Sequence, residues 1–236
     1  MVENEVIMEK EEEEKPTLDK KALMGDLLYS AIKGIGGSAL KTFTDLKVEG
    51  AEHIPIMGKA ILTTISKNVF RDMLLISQLT GRKVHFMLHP KIMKHQIAGP
   101  ILKSIGMIRG TESKEDTEPI DKVFEILNEK GNLVAMTPEA RLDREIQVKS
   151  MAGIIKFAVA GEAPIIPLAI CTEKTKLFNL IPISGLRVKV GTPIKVSKRL
   201  TRDKYRPERY ELAEDIITII DSLQNIPEIE DENEIE

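Results

Sequence analysis

The sequence predicts an α/β domain with a mostly parallel sheet flanked by helices. Segments of strand character alternate along the chain with segments of helical periodicity. Several of the strands are continuous apolar runs, such as AILTTI and APIIPLAI, which is typical of parallel strands buried on both faces. In such a sheet, functional loops lie where strands end and helices begin.

The elements follow in a regular order along the chain. The predicted strands are LKVEG, KAILTTIS, KVHFMLH, NLVAMTPEA, APIIPLAI and LRVKVGTPIKV. The predicted helices after the first are RDMLLISQLTG, KIMKHQIAGPILKSIG, EPIDKVFEILNEKG, VKSMAGIIKFAVAG and RPERYELAEDIITIIDSLQNI. The second of these is expected to break around Gly99 and Pro100, and the third has Pro119 near its start and Gly131 at its C-cap.

The N-terminal helical segment, residues 20–45, is amphipathic. Leu23, Leu27 and Ile35 recur at helical spacing, lysines surround them, and glycines within 34–37 are expected to break the helix. Two roles stay open for the apolar stripe. It packs on the domain, or it lies on an anionic membrane surface.

Composition divides the chain into a basic body between acidic ends. The predicted organisation is an acidic disordered arm (1–19), the helical segment (20–45), an α/β domain (46–226) and an acidic disordered tail (227–236). The whole chain carries a formal charge of −3, whereas residues 15–226 carry +9 by count. A basic body is typical of proteins with an anionic partner. Abundant Lys and Glu also resemble thermophilic compositions.

The same composition argues against several classes of protein. A single Cys, Cys171, and four scattered His provide neither a disulfide nor a metal-ligand spacing. No apolar run reaches the roughly 18 residues of a membrane span, and the acidic N-terminus lacks the features of a signal peptide. Aromatic residues make up 4% of the chain, and Trp is missing, which disfavours a nucleic-acid partner. We expect a cytoplasmic protein with at most peripheral membrane contact.

Three polar clusters follow predicted strands. SKNVFRD carries Lys67 and Asp72, SIGMIRG ends with Arg109, and MTPEARLDRE carries Glu139 and Arg141. Each cluster alone is typical of a solvated sheet edge. Their order and spacing are more informative than any one of them.

From about Leu23 to Val196 the chain resembles the glycerolipid acyltransferases typified by lysophosphatidic acid acyltransferase. AILTTISKNVFRDMLLI is similar to the family's first motif, SIGMIRG to its second and MTPEAR to its third, and VKSMAGIIKFAVAGEAPIIPLAI resembles its closing block. The resemblance implies acyl transfer from acyl-CoA or acyl carrier protein to lysophosphatidic acid or a related lysolipid. It implies no cofactor, because the thioester donor is already activated.

The resemblance also assigns roles to single residues. Asp72 matches the Asp of the first motif, and Pro138 and Glu139 match the start of the third. The residues implied for substrate phosphate are Arg109, Arg141 (if one position is deleted) and Lys149.

Lys67 is the main departure from the family pattern, because it stands where the family has its catalytic His. Acyl transfer to a hydroxyl requires a base, and His suits that role at neutral pH. Lys has an unperturbed pKa of about 10.4, and a nearby carboxylate favours its charged form. If Lys67 lies beside Asp72, we expect an ion pair and not a base. Ser66 and Ala140 depart from the family's Asn and Gly.

Three interpretations follow. In the first, another group, with His89 and His85 as the nearby imidazoles, replaces the His in catalysis. In the second, the protein is an inactive family member that binds a phosphorylated lysolipid or a membrane surface. In the third, which the composition disfavours, the basic body binds nucleic acid.

Overall fold

The computed structural model describes residues 20–113, 115–129, 131–177 and 181–225. The predicted acidic arm and tail lie outside the described residues. The helices in the described part are α1 (Lys20–Phe43), α2 (Val69–Gln78), α3 (Pro90–Met93), α4 (Ala98–Ser104), α5 (Glu118–Phe124), α6 (Arg144–Ala160) and α7 (Arg206–Asn225). A π-helical segment, Glu125–Glu129, extends α5. No helix in this part is both long and apolar enough to cross a membrane.

The strands form one seven-stranded sheet in the order β1-β7-β6-β2-β5-β3-β4. They are β1 (Asp45–Glu49), β2 (Ala60–Thr63), β3 (Val84–Leu88), β4 (Ile108–Arg109), β5 (Leu133–Met136), β6 (Ile165–Leu177) and β7 (Ile181–Val190). Neighbouring strands from β6 to β4 are parallel, β7 is antiparallel to β6, and β1 is parallel to β7. The predicted fold class, a mostly parallel sheet flanked by helices, is confirmed.

Successive residues of the central strands face opposite sides of the sheet and build two cores. On one side, Leu62 of β2 belongs to a cluster with residues of α1, α2 and α4. On the other, Ile61 belongs to a cluster with residues of α5, α6 and α7. Both strand faces are buried, so β2 is apolar without alternation, as the sequence predicts for a central parallel strand.

The N-terminal helix is continuous, which corrects the predicted break within 34–37. Its glycines allow close helix packing. A Cβ on Gly37 would lie 2.3 Å from Oε1 of Gln78 on α2, and a Cβ on Gly25 would lie 2.1 Å from the Ser104 carbonyl oxygen on α4. Close approach of α4 and α2 therefore accounts for Gly25 and Gly37, and contacts with these two helices stabilise a helix that glycine would otherwise weaken.

The apolar stripe of α1 does not pack on the domain. Leu27 and Ile35 are 66% and 74% exposed, and Leu23 and Phe43 are exposed as well. The glycine face docks instead, with Tyr29 buried between the glycines. The helix thus packs on the domain through one face and presents an apolar face on the other.

The helical segment before β4 breaks earlier than its sequence predicts. The break falls between Met93 and Ala98, and Gly99 and Pro100 lie inside the first turn of α4. Proline is tolerated there because the first amides of a helix have no partner within that helix.

Candidate functional site

The loop between β2 and α2 is ordered by its own side chains. Asn68 caps α2, because its side-chain oxygen accepts a hydrogen bond from the Arg71 amide at 3.1 Å. The first helical hydrogen bond follows at once, from the Asp72 amide to the Asn68 carbonyl at 2.9 Å. The polar residues between β2 and α2 therefore form a helix start at the carboxyl edge of the sheet.

Asp72 is buried, with 2% of its surface exposed. Its Oδ2 accepts from Ser66 Oγ at 2.8 Å and from the amides of Lys67 and Asn68 at 3.1 and 3.3 Å. Its Oδ1 accepts from Arg71 Nε and Nη2 at 2.9 and 2.8 Å. A buried carboxylate needs this full set of donors, since an unpaired charge there is costly.

The expected ion pair between Lys67 and Asp72 is replaced by one between Arg71 and Asp72. The Lys67 side chain is exposed. Among the described residues its ammonium contacts no carboxylate, and only its backbone amide reaches Asp72. Arg71 also donates to Thr172 Oγ1 on β6 at 3.3 Å. The Asp72 carboxylate therefore stabilises the turn and does not bind the Lys67 side chain.

The first and third motif loops are joined by backbone hydrogen bonds. The Ser66 amide donates to the Pro138 carbonyl at 2.8 Å, and the Ala140 amide donates to the Ser66 carbonyl at 2.7 Å. This bridge continues the pairing of β2 with β5. Buried Gln147 supports the same loop from α6 by donating to the carbonyls of Ala140 and Leu142 at 3.1 and 2.8 Å.

A cavity of about 360 Å³ opens between these loops and the end of β3. Glu139 and His89 are its ionisable lining residues, and its apolar wall includes Met87, Ile154 and Phe157. Glu139 Oε2 accepts from Arg141, and Oε1 has no partner among the described residues. A concave apolar site with a few polar groups is the usual form of a small-molecule pocket.

The hydrogen bonding of the two histidines separates their roles. His89 Nδ1 accepts from the Lys91 amide at 3.1 Å, so the neutral ring carries its proton on Nε2. In this tautomer Nε2 donates and does not accept a proton. His85 lies near the start of β3, at the other end of the strand, where its Nδ1 contacts the Gly106 carbonyl at 2.8 Å. It does not line this cavity.

Arg109 lies at the end of β4 and is surrounded by carboxylates. Its Nη1 and Nη2 contact the two oxygens of Asp116 at 2.6 and 3.0 Å. Nη2 also contacts Glu118 at 3.0 Å, and Nη1 contacts Glu112 at 3.1 Å. These bonds raise the pKa of Arg109 and, on the other side of the pair, lower that of Asp116. β4 and β2 are separated by β5 and β3, which puts Arg109 roughly 14 Å from the Asp72 turn.

The other implied phosphate ligands lie at the surface. Arg141 is 83% exposed and paired with Glu139. Lys149 is exposed on α6 and does not line the cavity. The structure thus brings Glu139 and the Asp72 turn together, and the residues that follow Arg109, Gly110 and Thr111, line the cavity beside Glu139.

Two residues of the site have no role in the sequence interpretation. Arg71 directly precedes Asp72 at the start of α2. A cation next to the motif aspartate is a sequence signal that could have identified the ion pair. Gln147 gave only a weak signal, as one polar residue in an otherwise apolar helix face. Both hold the motif loops in place.

Comparisons with known proteins concern the family and the fold. The family model described as Acyltransferase matches residues 45–171. No curated protein matches the sequence significantly. Among solved structures, the 1-acyl-sn-glycerophosphate (LPA) acyltransferase PlsC from Thermotoga maritima is similar, with a TM-score of 0.60 and 16% identity. The similarity covers 90% of this chain and 86% of that one, and at this identity it concerns the fold.

Proposed function

The chain belongs to the acyltransferase family, and we propose that it transfers an acyl group from acyl-CoA or acyl carrier protein to lysophosphatidic acid or a related lysolipid. The observation that carries the proposal is the cavity between the joined motif loops. Its apolar wall suits an acyl chain, and its two ionisable side chains, Glu139 and His89, lie at the same site. The reaction needs no cofactor, because the thioester is already activated.

Glu139 is the residue we assign as base. As the acceptor hydroxyl attacks the thioester carbonyl carbon, its proton passes to Glu139 Oε1, which makes no hydrogen bond among the described residues. His89 Nε2–H donates to the carbonyl oxygen as negative charge develops there. The tetrahedral intermediate then collapses, the C–S bond breaks, and Glu139 returns the proton to the leaving thiolate. Asp72 acts indirectly, by holding the turn bonded to the Glu139 loop.

Arg109 is the proposed contact for the acceptor phosphate, with Arg141 and Lys149 as further cations at the surface. The ion pairs of Arg109 limit how it can bind a phosphate. Asp116 already fills the two-pronged face of the guanidinium, so a phosphate must displace it. Arginine binds carboxylate and phosphate with the same planar geometry, which makes such an exchange chemically reasonable.

A second candidate is a family member that binds lysolipid without turnover. The observation that favours it is the position of Lys67. No described histidine ring donates a hydrogen bond to Asp72, because both carboxylate oxygens accept from groups within the turn. The standard His–Asp pair is therefore missing from the described residues.

The test is acyl transfer to lysophosphatidic acid by the full chain. We expect wild-type turnover, a loss of roughly 100-fold or more in kcat for Glu139→Gln, and little change for Lys67→Ala, because that side chain is exposed. Glu145→Gln on the exposed start of α6 is the matched control. A Glu139→Gln enzyme with an unchanged rate would remove Glu139 as base. A wild type that binds lysophosphatidic acid without turnover would favour the second candidate.

We also propose that α1 attaches the protein peripherally to the inner face of the cell membrane. Its exposed stripe includes Leu27 and Ile35, at 66% and 74% exposure, and a basic body favours anionic lipid. Leu27→Ser with Ile35→Ser should weaken sedimentation with anionic vesicles at low salt, whereas Ile219→Ser on α7 should not. Equal binding by wild type and both variants would remove α1 from the membrane contact.

A further inference from the structure

A second and larger cavity, of about 1040 Å³, lies at the amino edge of the sheet. Lys83 and His85 line it at the start of β3, and Asn132 lines it just before β5. The cavity beside Glu139 lies at the opposite ends of these same strands. Among the described lining residues the two cavities have none in common, so this is a separate site.

The lining of this amino-edge cavity is basic. Four lysines take part, with Asp26 and Glu125 as the acidic members; the lysines are Lys33, Lys83, Lys103 and Lys122. Lys83 pairs with Asp26 at 2.6 Å, and Lys122 pairs with Glu125 at 2.5 Å. The formal charge of the described lining is therefore +2 with His85 neutral, and this excess belongs to Lys33 and Lys103.

Lys33 carries its charge in a half-buried position. Its ammonium donates to the Thr80 carbonyl at 2.5 Å, and no carboxylate among the described residues pairs with it. Burial lowers its pKa, which is the expected response of a cation removed from water without a counter-ion. An anion bound in the cavity would compensate that desolvation.

Neutral donors are available beside the two lysines. The Ser30 hydroxyl on α1 and the Asn132 amide both line the cavity, and neither makes a side-chain hydrogen bond within the described part of the chain. Gly34, also in the lining, has open space where a Cβ would lie. The volume of about 1040 Å³ lies just above the usual range for small-molecule sites.

We propose that the amino-edge cavity binds a small phosphorylated ligand, with Lys33 and Lys103 as its charged contacts and Ser30 and Asn132 as neutral donors. The shared chemistry is a phosphate group with at least two negative charges, which matches the excess charge of the lining. Such a group can come from a soluble metabolite or from a lipid headgroup. The site does not depend on the function proposed for the other cavity.

The test is calorimetric titration of the full chain with inorganic pyrophosphate at low ionic strength. We expect saturable binding that Lys103→Ala weakens roughly tenfold or more. Ser30→Glu, which adds a carboxylate to the lining without removing a described contact, should abolish it. The matched controls are Lys156→Ala, at an exposed position of α6, and Ala39→Glu, at an exposed position of α1, and both should bind as wild type does.

A second arm separates the two sources of phosphate. If pyrophosphate does not bind, and Lys103→Ala weakens attachment to vesicles containing phosphatidic acid more than Lys156→Ala does, the ligand is a lipid headgroup. If Lys103→Ala and Ser30→Glu behave like their controls with both probes, the proposal is wrong. Neither arm measures acyl transfer, so failure here is distinguishable from failure of the proposed function.

Discussion

Asp72 and Arg109 are both charged motif residues at the carboxyl edge of the sheet, yet the protein holds them in different ways. Asp72 is buried, and its partners come from Ser66, Lys67, Asn68 and Arg71 within its own turn. Arg109 is partly exposed, and its partners are carboxylates of the segment 112–118 at the sheet margin. The first charge belongs to the scaffold. The second is held by contacts that the proposed phosphate would have to replace.

The largest expected effect is the loss of stability on substitution of Asp72. Asp72→Asn removes the ion pair with Arg71 and leaves buried donors without full partners, so the free energy of unfolding should fall by about 2 kcal/mol or more. Urea denaturation measures the change. Asp143→Asn, an exposed aspartate whose side chain makes no cap hydrogen bond, should change stability by no more than about 0.5 kcal/mol. Equal effects of the two substitutions would contradict a scaffold role for Asp72.

A smaller effect is expected at Arg109, and it concerns binding more than stability. Asp116→Asn weakens the internal competitor, so the affinity for lysophosphatidic acid should rise roughly threefold to tenfold. Thermal stabilisation by lysophosphatidic acid measures this affinity, and it should vanish in Arg109→Ala. Asp121→Asn, at an exposed position of α5, is the control. A reduced affinity in Asp116→Asn would show that the carboxylate positions Arg109 for its ligand.

The smallest effect is the pH dependence of the Arg109–Asp116 pair. Hydrogen bonds from Arg109 lower the pKa of Asp116. A depressed pKa in the folded state means that the pair stabilises the fold above the unfolded value of about 3.9 and stops doing so as the pH falls through the folded value. The small Tm difference between wild type and Asp116→Asn should therefore stay constant from about pH 5 to 8 and shrink at lower pH. A difference that grows on acidification would contradict this assignment.

The sheet was predictable from sequence because apolar runs and their spacing report burial directly. The interruption expected in α1 was wrong for an instructive reason. Gly25 and Gly37 are tolerated because α4 and α2 approach so closely there. In a sequence, a glycine that ends a helix cannot be distinguished from one that allows a close helix contact. The exposure of the apolar stripe of α1 was likewise not predictable, since the sequence pattern does not show which surface an apolar stripe contacts.

The candidate site was predictable in its positions and less so in its contacts. The order of the motifs located Asp72, Arg109 and Glu139 at one edge of the sheet. It did not show that Arg71 pairs with Asp72 or that Asp116 pairs with Arg109. Such pairs depend on side-chain direction at neighbouring positions, and on a loop whose path the sequence pattern leaves undefined.

The docking of α1 through Tyr29 has a consequence for amide exchange. The Tyr29 hydroxyl accepts a hydrogen bond from the backbone amide of Val84 at 3.1 Å, at the first residue of β3. The protection of that strand amide is therefore set by a helix more than fifty residues earlier in the chain. Local opening of α1 would expose the Val84 amide to solvent while the rest of β3 stayed paired with β5. One amide thus records the opening of α1 separately from the unfolding of the sheet.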